Sequence, residues 1–311
     1  MTPPLLALVG PTASGKTDAG IELAGRLDAE IVSVDSMLVY RGMDVGTAKP
    51  TSEQRARVPH HLIDVVEPSE SFTVQRFQRL ARATVAEIRA RGHTPLLVGG
   101  SGLYFRAVVD DLEFPGTDTE TRQELERAAQ ALGPELLHAR LADLDPIAAA
   151  KIEPANVRRT IRALEVAAIT GQPFSSFAGA WETYAPERVR AVGVELSREV
   201  LSARIERRVH RMVDRGLIEE VRTLVARGFG RWLTSSKAIG YAEIAQHLAG
   251  EGTLDEASEA TVRRTRSLAR RQLSWFARDP RIRWVAAASV GEEDLVAAFA
   301  RKLEPAAQEH R

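Results

Sequence analysis

The chain has 311 residues, carries 42 basic and 42 acidic side chains and contains no cysteine. That length suggests about two domains with ample core. The charge balance means that a polyanionic partner must be met by a local patch. The missing thiols exclude disulfides, thiolate zinc sites, iron–sulfur clusters and cysteine nucleophiles. No apolar run approaches the ~20 residues that cross a bilayer, and Leu5 to Val9 is too short for the core of a signal peptide. The expectation is a soluble cytoplasmic protein with no membrane partner.

Leu5-Leu6-Ala7-Leu8-Val9 predicts a buried strand, and Gly10-Pro11-Thr12-Ala13-Ser14-Gly15-Lys16-Thr17 follows it directly. This matches the phosphate-binding pattern G-x-x-x-x-G-K-[ST], and Ile21, Leu23, Ala24 and Leu27 behind it have helical spacing from Asp18 to Leu27. Gly10 and Gly15 allow turn conformations that a Cβ would obstruct, so successive N–H groups point inward at phosphate oxygens. The helix N-terminus adds partial positive charge, Lys16 a full one, and the Thr17 hydroxyl can reach a phosphate-bound Mg²⁺. The expected diphosphate-binding set is Gly10, Thr12, Ala13, Ser14, Gly15, Lys16 and Thr17, with Thr17 as the metal-side ligand. The plain alternative is a glycine-rich turn that binds nothing; a chance match in a chain of this length is on the order of one per cent.

A second strand, Glu30 to Val34, ends at Asp35-Ser36. Parallel α/β sheets collect their chemistry at the carboxyl ends of strands, which places Asp35 near the phosphate loop; the competing view is an ordinary turn aspartate. Residues 36–71 read as a long irregular connection with Gly42, Gly46, Pro50, Pro59, Pro68 and the pair His60-His61. Adjacent side chains in an extended segment point opposite ways, so a structural role fits these histidines better than a shared metal. Thr73 to Arg91 is an amphipathic helix built on Val74, Phe77, Leu80, Ala81, Val85 and Ile88, with Gly92 as its cap. Pro95 to Val98 is then a buried strand ending in Gly99-Gly100-Ser101-Gly102, a third strand end that is either a tight turn or part of the site.

Near Phe114-Pro115-Gly116 the character changes. Thr117-Asp118-Thr119-Glu120 has the capping-box pattern for a helix stopping near Gly133, Pro134 and Asp145-Pro146 start further helices, and Asn156 caps Val157 to Thr170. From 114 to about 183 there is no strand pattern. Arg158, Arg159 and Arg162 cluster on one helix, where a solvated basic face is the plainer reading and a polyanion contact the other. Sheet character returns at Val189 to Leu196. Ser197 caps a helix through Val213, Leu217 to Ala226 forms another, and Ser235 to Tyr241 reads as a loop into a helix. Thr261 to Arg278 is helical and basic, with Arg263, Arg264, Arg266, Arg270, Arg271 and Arg278 interleaved with Trp275 and Phe276. That is an electrostatic footprint for nucleic acid, or for a membrane surface. The segment beyond Ala286 is expected to be peripheral. The fold class is α/β: a P-loop NTPase-like parallel sheet flanked by helices, with an all-helical insertion domain. The expected division is 1–113 and 184–311 for the core and 114–183 for the insertion.

GPTASGKT, Val32 to Pro50 (VSVDSMLVYRGMDVGTAKP), Pro59 to Asp64 (PHHLID), Leu96 to Ala107 (LLVGGSGLYFRA), Arg158 to Val166 (RRTIRALEV) and Ser235 to Ile244 (SSKAIGYAEI) together resemble the bacterial tRNA dimethylallyltransferases. The likeness spans most of the chain in the family's order. It implies that the loop holds the pyrophosphate of dimethylallyl diphosphate rather than a nucleotide, with Mg²⁺ as cofactor. The implied acceptor is N6 of the adenosine just 3′ of the anticodon in tRNA, and the implied partner is the tRNA anticodon stem-loop. The carboxylate at Asp35 would serve as general base and the hydroxyl at Ser101 would stabilise the leaving oxygen, making Asp35, Ser101 and Lys16 the catalytic set. Contacts to tRNA would come from Asp35, Ser36, Met37, Leu38, Ser101, Arg158, Arg159, Arg162, Lys237, Gly240 and Tyr241. A monomer is expected. Many members carry threonine where this chain has Ser101, which keeps the hydroxyl and loses the methyl that restricts χ1. Two other classes share the loop: a small-molecule ATP-dependent kinase and a nucleic-acid-stimulated NTPase. Against the kinase, the strand at Leu96 to Val98 ends in glycines where a metal-binding aspartate would be sought.

Overall fold

Continuous apolar runs become strands buried on both faces, and here they become the middle of one sheet. The computed structural model describes residues 3–287 and 292–303. In chain order, β1 (Leu5–Val9) leads through the phosphate loop into α1 (Lys16–Arg26), followed by β2 (Ala29–Ser33), α2 (Ser52–Arg57), β3 (His60–His61), α3 (Val74–Ala90), β4 (Thr94–Gly99) and α4 (Gly102–Val109). Then come α5 (Thr119–Leu132), α6 (Pro134–Leu144), α7 (Pro146–Lys151) and α8 (Val157–Thr170). The chain returns with β5 (Val189–Glu195), α9 (Arg198–Asp214), α10 (Leu217–Ala226), α11 (Tyr241–Leu248), α12 (Leu254–Phe276), β6 (Ile282–Ala286) and α13 (Glu292–Leu303). Strand order is β3-β2-β4-β1-β5-β6, with every pairing parallel. Because β4 lies between β1 and β2, the carboxyl ends of these three strands are neighbours, and it is there that a parallel sheet opens a crevice.

Two compact units make up the chain: Asp110–Tyr184, and the sequence on either side of it. In the larger unit α1 packs on the sheet through Ile21, Leu23 and Ala24, against Leu8, Ile31, Val98 and Val192. A second apolar layer includes the stacked pair Phe77 and Tyr104, 3.9 Å between ring centres, and Phe105 edge-on to Phe276. The smaller unit is helical throughout and has its own core of Leu125, Leu137, Leu141, Ile161 and Leu164. Its buried Glu165 accepts from Arg122 at 2.5 Å and from Arg162 at 2.8 Å. Burial works to raise the Glu165 pKa, but the two guanidiniums outweigh it and hold the carboxyl below its usual range.

Several local expectations change. The box at Thr117 does not form; Asp118 caps α5 instead, accepting from the Thr121 N–H. α1 begins at Lys16 rather than Asp18, because Gly15 adopts φ 88° and turns the chain straight into the helix. α12 starts at Leu254, well before Thr261, behind a true capping box of Thr253 and Glu256. The 36–71 connection contains α2 and β3, where His61 reaches buried Glu30 at 2.6 Å beside Arg91 at 2.7 Å. Those contacts support the structural reading of the histidine. Ile282–Ala286 is an additional strand. α13 is not peripheral either: Val296, Phe299 and Leu303 are buried in the sheet's core.

Candidate active site

The crevice at the strand ends is open at its mouth, and its mixture of polar and apolar lining suits a small ligand. Polar lining comes from Thr12, Lys16, Thr17, Asp35, Arg208 and Gln272, and apolar lining from Ile31, Leu38, Ile63 and Val98. The phosphate loop is held in conformations that favour a ligand over a relaxed chain. Ala13 has φ 62°, an unusual value for a residue with a Cβ and one that clusters at functional sites. Ser14 is buried, and its Oγ has no hydrogen-bond partner among the described residues. An unmet hydroxyl at the N-terminus of α1 is what an incoming phosphate oxygen would satisfy. The Thr12 amide differs from expectation: its N–H donates to Gln272 Oε1 at 2.8 Å, so this one donor is already engaged.

Lys16 donates from Nζ to the Pro11 carbonyl at 2.8 Å. Burial lowers its pKa to about 8, the Asp35 charge working against that shift and Arg208 adding to it. Arg208, from α9, is itself lowered by burial and opposed by Asp35. Its Nη2 donates to the Thr47 carbonyl at 3.3 Å, and Arg204, one turn earlier on α9, donates to the Ser14 carbonyl at 3.3 Å. Asp35 follows β2 and accepts from the Met37 N–H at 2.8 Å through Oδ1. That bond fixes the carboxylate in the crevice and leaves Oδ2 to accept another proton. Two cations and one carboxylate therefore face a shared space.

Not every expected residue meets there. Ser101 is not among the crevice-lining residues, although Gly99 is. Its Oγ accepts from the Tyr104 N–H at 3.3 Å at the start of α4, a bond that uses a lone pair and leaves the hydroxyl proton to donate. Leu38 lines the crevice, while Ser36 and Met37 are half-buried beside it. Lys237 is exposed, but Gly240 and Tyr241 are buried and unavailable to a large partner. The Tyr241 hydroxyl donates to Glu220 at 2.5 Å, and burial with that neighbour pushes the phenol far up, so it stays protonated. On α8, Arg158 and Arg159 are exposed. Arg162 is instead a strut, bonded to the carbonyls of Pro115 and Gly116 as well as to Glu165. Of the six arginines in the basic stretch, Arg263 pairs with Glu259, Arg264 with Glu243 and Arg266 with Glu206, while Arg270, Arg271 and Arg278 are exposed. Trp275 packs so closely over Gly102 that a Cβ there would lie 1.7 Å from its ring.

Sequence reasoning missed Arg208, Gln272 and Thr47. The spacing of Arg204 and Arg208 put two cations on one face of α9 and was the available signal. Nothing near Gln272 announces that it reaches a loop 260 positions away. No group of three or more His, Asp or Glu that would hold a metal occurs among the described residues. The Thr17 hydroxyl, which lines the crevice, is a sparse oxygen donor. That suits Mg²⁺, which keeps several waters and takes its other ligands from phosphate oxygens.

Comparison with known proteins gives a consistent result. The family model for IPP transferase matches residues 38–279. The tRNA dimethylallyltransferase of Kineococcus radiotolerans is 54% identical over 290 residues, covering 91% of each chain. That of Streptomyces avermitilis is 50% identical over 94% of this chain and 93% of its own. The crystal structure of the full-length tRNA isopentenylpyrophosphate transferase from Bacillus halodurans is 44% identical, with a TM-score of 0.70 over 97% of both chains. A eukaryotic dimethylallyltransferase acting on tRNA shares the fold at a TM-score of 0.77 and 24% identity.

Proposed function

The chain belongs to the bacterial tRNA dimethylallyltransferase family, and from that premise we propose that its crevice carries dimethylallyl transfer from dimethylallyl diphosphate to N6 of the adenosine 3′ of the anticodon in tRNA. In this reaction the bond between the allylic carbon and the diphosphate oxygen breaks, and a bond from that carbon to N6 forms. The N6 proton passes to a base, and diphosphate leaves. An adenine amine is a weak nucleophile, so a carboxylate on its proton is worth roughly 10²–10⁴ in rate. Asp35 has the position for that role, with Oδ1 pinned by the Met37 amide. Charge builds on the leaving diphosphate, and donors aimed at it in a low-dielectric crevice act on the transition state. Lys16, Arg208 and the Thr17 hydroxyl line the crevice as those donors, and we assign the Ser101 proton, offered from the start of α4, to the leaving oxygen. Mg²⁺, held from the protein side by Thr17, would supply further charge neutralisation on the diphosphate.

The acceptor base must leave its stack to reach a crevice at the carboxyl ends of the strands, as enzymes acting on bases require. Arg158 and Arg159, with Lys237, are the exposed cations to which we assign backbone grip, which needs no base reading. We further propose a monomer acting in the cytoplasm; among the described residues no helix is long and apolar enough to cross a membrane. The observation that carries the catalytic reading is the Asp35 carboxylate on the same crevice as Lys16 and Arg208. Single-turnover transfer with Asp35→Asn tests it. The expected outcome is a rate lower by roughly 10²–10⁴ with substrate affinities changed far less. A near-normal rate rules the base assignment out.

A further inference from the structure

After β2 the chain runs through Asp44-Val45-Gly46-Thr47-Ala48, outside any helix or strand, and Thr47 and Ala48 line the crevice. The N–H groups at the start of this stretch are collected by one carboxylate from the first turns of α10. Glu220 Oε2 accepts from the Asp44 N–H at 2.9 Å and from the Val45 N–H at 2.8 Å. Its Oε1 accepts from the Gly46 N–H at 3.3 Å and from the Tyr241 hydroxyl at 2.5 Å. Successive amides converging on one acceptor favour an anion over a neutral group. The fit is close: a Cβ on Gly46 would lie 2.4 Å from the Tyr241 ring. The next carbonyl, that of Thr47, accepts from Arg208 Nη2 at 3.3 Å.

We propose that Glu220 is a positioning residue for the allylic diphosphate: by fixing the 44–46 backbone it places the Thr47 carbonyl, and through that carbonyl it aims Arg208 at the diphosphate. Glu220 does not line the crevice and acts only through this relay. The inference rests on the diphosphate reading of the crevice, and the test separates the two. Binding of dimethylallyl diphosphate with Mg²⁺ is measured by calorimetry for the wild type, Lys16→Ala, Glu220→Gln, Arg208→Gln and the Glu220→Gln/Arg208→Gln double variant. Melting temperature and tRNA affinity are recorded for each. Glu220→Gln keeps the side chain's shape but loses its charge and turns one acceptor into a donor. It should weaken donor binding roughly tenfold, the worth of a charge-assisted bond, and leave tRNA affinity at the wild-type value. In the Arg208→Gln background the same change should add almost nothing, because the guanidinium it aims is gone. Tyr241→Phe, which removes one donor to Glu220 and an acceptor of the Gly46 N–H, should move affinity the same way by less. If Glu220→Gln does not fold, the cycle is run with Tyr241→Phe. Wild-type affinity in Glu220→Gln, or effects of Glu220 and Arg208 that add in full, would overturn the relay. Failure of the underlying reading looks different: the wild type then shows no donor binding that Lys16→Ala removes.

Discussion

Lys16 shows how one residue's position sets a measurable pH dependence. Burial brings its pKa to about 8, against 10.5 for a free side chain, with the Asp35 charge resisting and Arg208 assisting. Folding thus penalises the charged form. The penalty is complete below about pH 8 and relaxes as pH rises toward 10.5, so without ligand this group favours the folded state more at high pH. Donor binding has the opposite sign. A diphosphate ester has already lost its last proton near pH 6, and its negative charge restores the lysine's proton. Affinity for dimethylallyl diphosphate should therefore be level between about pH 6 and about pH 8 and fall above it, by at most about tenfold per pH unit. Calorimetry in two buffers of different ionisation heat should show proton uptake on binding at roughly pH 9, between the two pKa values. Uptake that persists in Lys16→Ala would assign the proton elsewhere.

At the scale of elements, what could be read in the sequence follows from how local the cause is. The strand, glycine-rich loop and helix are adjacent in sequence, so Gly10 to Thr17 announced the local fold, and Thr12, Lys16 and Thr17 of that stretch line the crevice. Asp35 followed from the general rule that strand ends share a crevice. The caps at Ser197 and Asn156 were equally local, and each side chain accepts an amide of its helix's first turn. Gln272, Arg208 and Glu220 act across 160 positions or more, and no periodicity encodes a meeting at that range. Tyr241 was misassigned to the tRNA surface because a motif residue near a loop looks functional until its burial is known. α13 was missed for a related reason: its alanines and acids give a weak pattern, yet Val296, Phe299 and Leu303 close one side of the core. Phe299 is fully buried. Phe299→Ala should therefore cost about 3–5 kcal/mol, as large aromatic truncations in cores do. Chemical denaturation would show this as a lowered midpoint with unchanged slope. A loss near zero would mean that α13 does not seal the core in solution.

For the molecule as a whole, equal numbers of acids and bases mean that net charge cannot draw in a tRNA. The grip must come from cations that no acid neutralises, and exposure sorts the arginines of α8 into two kinds. Arg158 and Arg159 face solvent, whereas Arg162 is bound to Glu165, Pro115 and Gly116. The donor crevice is lined entirely by residues of the other compact unit, so the two functions should separate under mutation. Neutralising Arg158 and Arg159 together should weaken tRNA binding and reduce the slope of log affinity against log salt by about one to two, the release expected for two lost phosphate contacts. Donor affinity and melting temperature should stay at wild-type values. Arg162→Gln should do the reverse. It leaves buried Glu165 with Arg122 as its remaining guanidinium, so a loss of stability on the order of 1–3 kcal/mol is expected, with the salt slope unchanged. Filter binding across a salt series, read beside thermal melts, distinguishes the two variants. A salt slope that responds to Arg162 but not to Arg158 and Arg159 would mean that the paired, half-buried strut, not the solvent-facing pair, is what the nucleic acid meets.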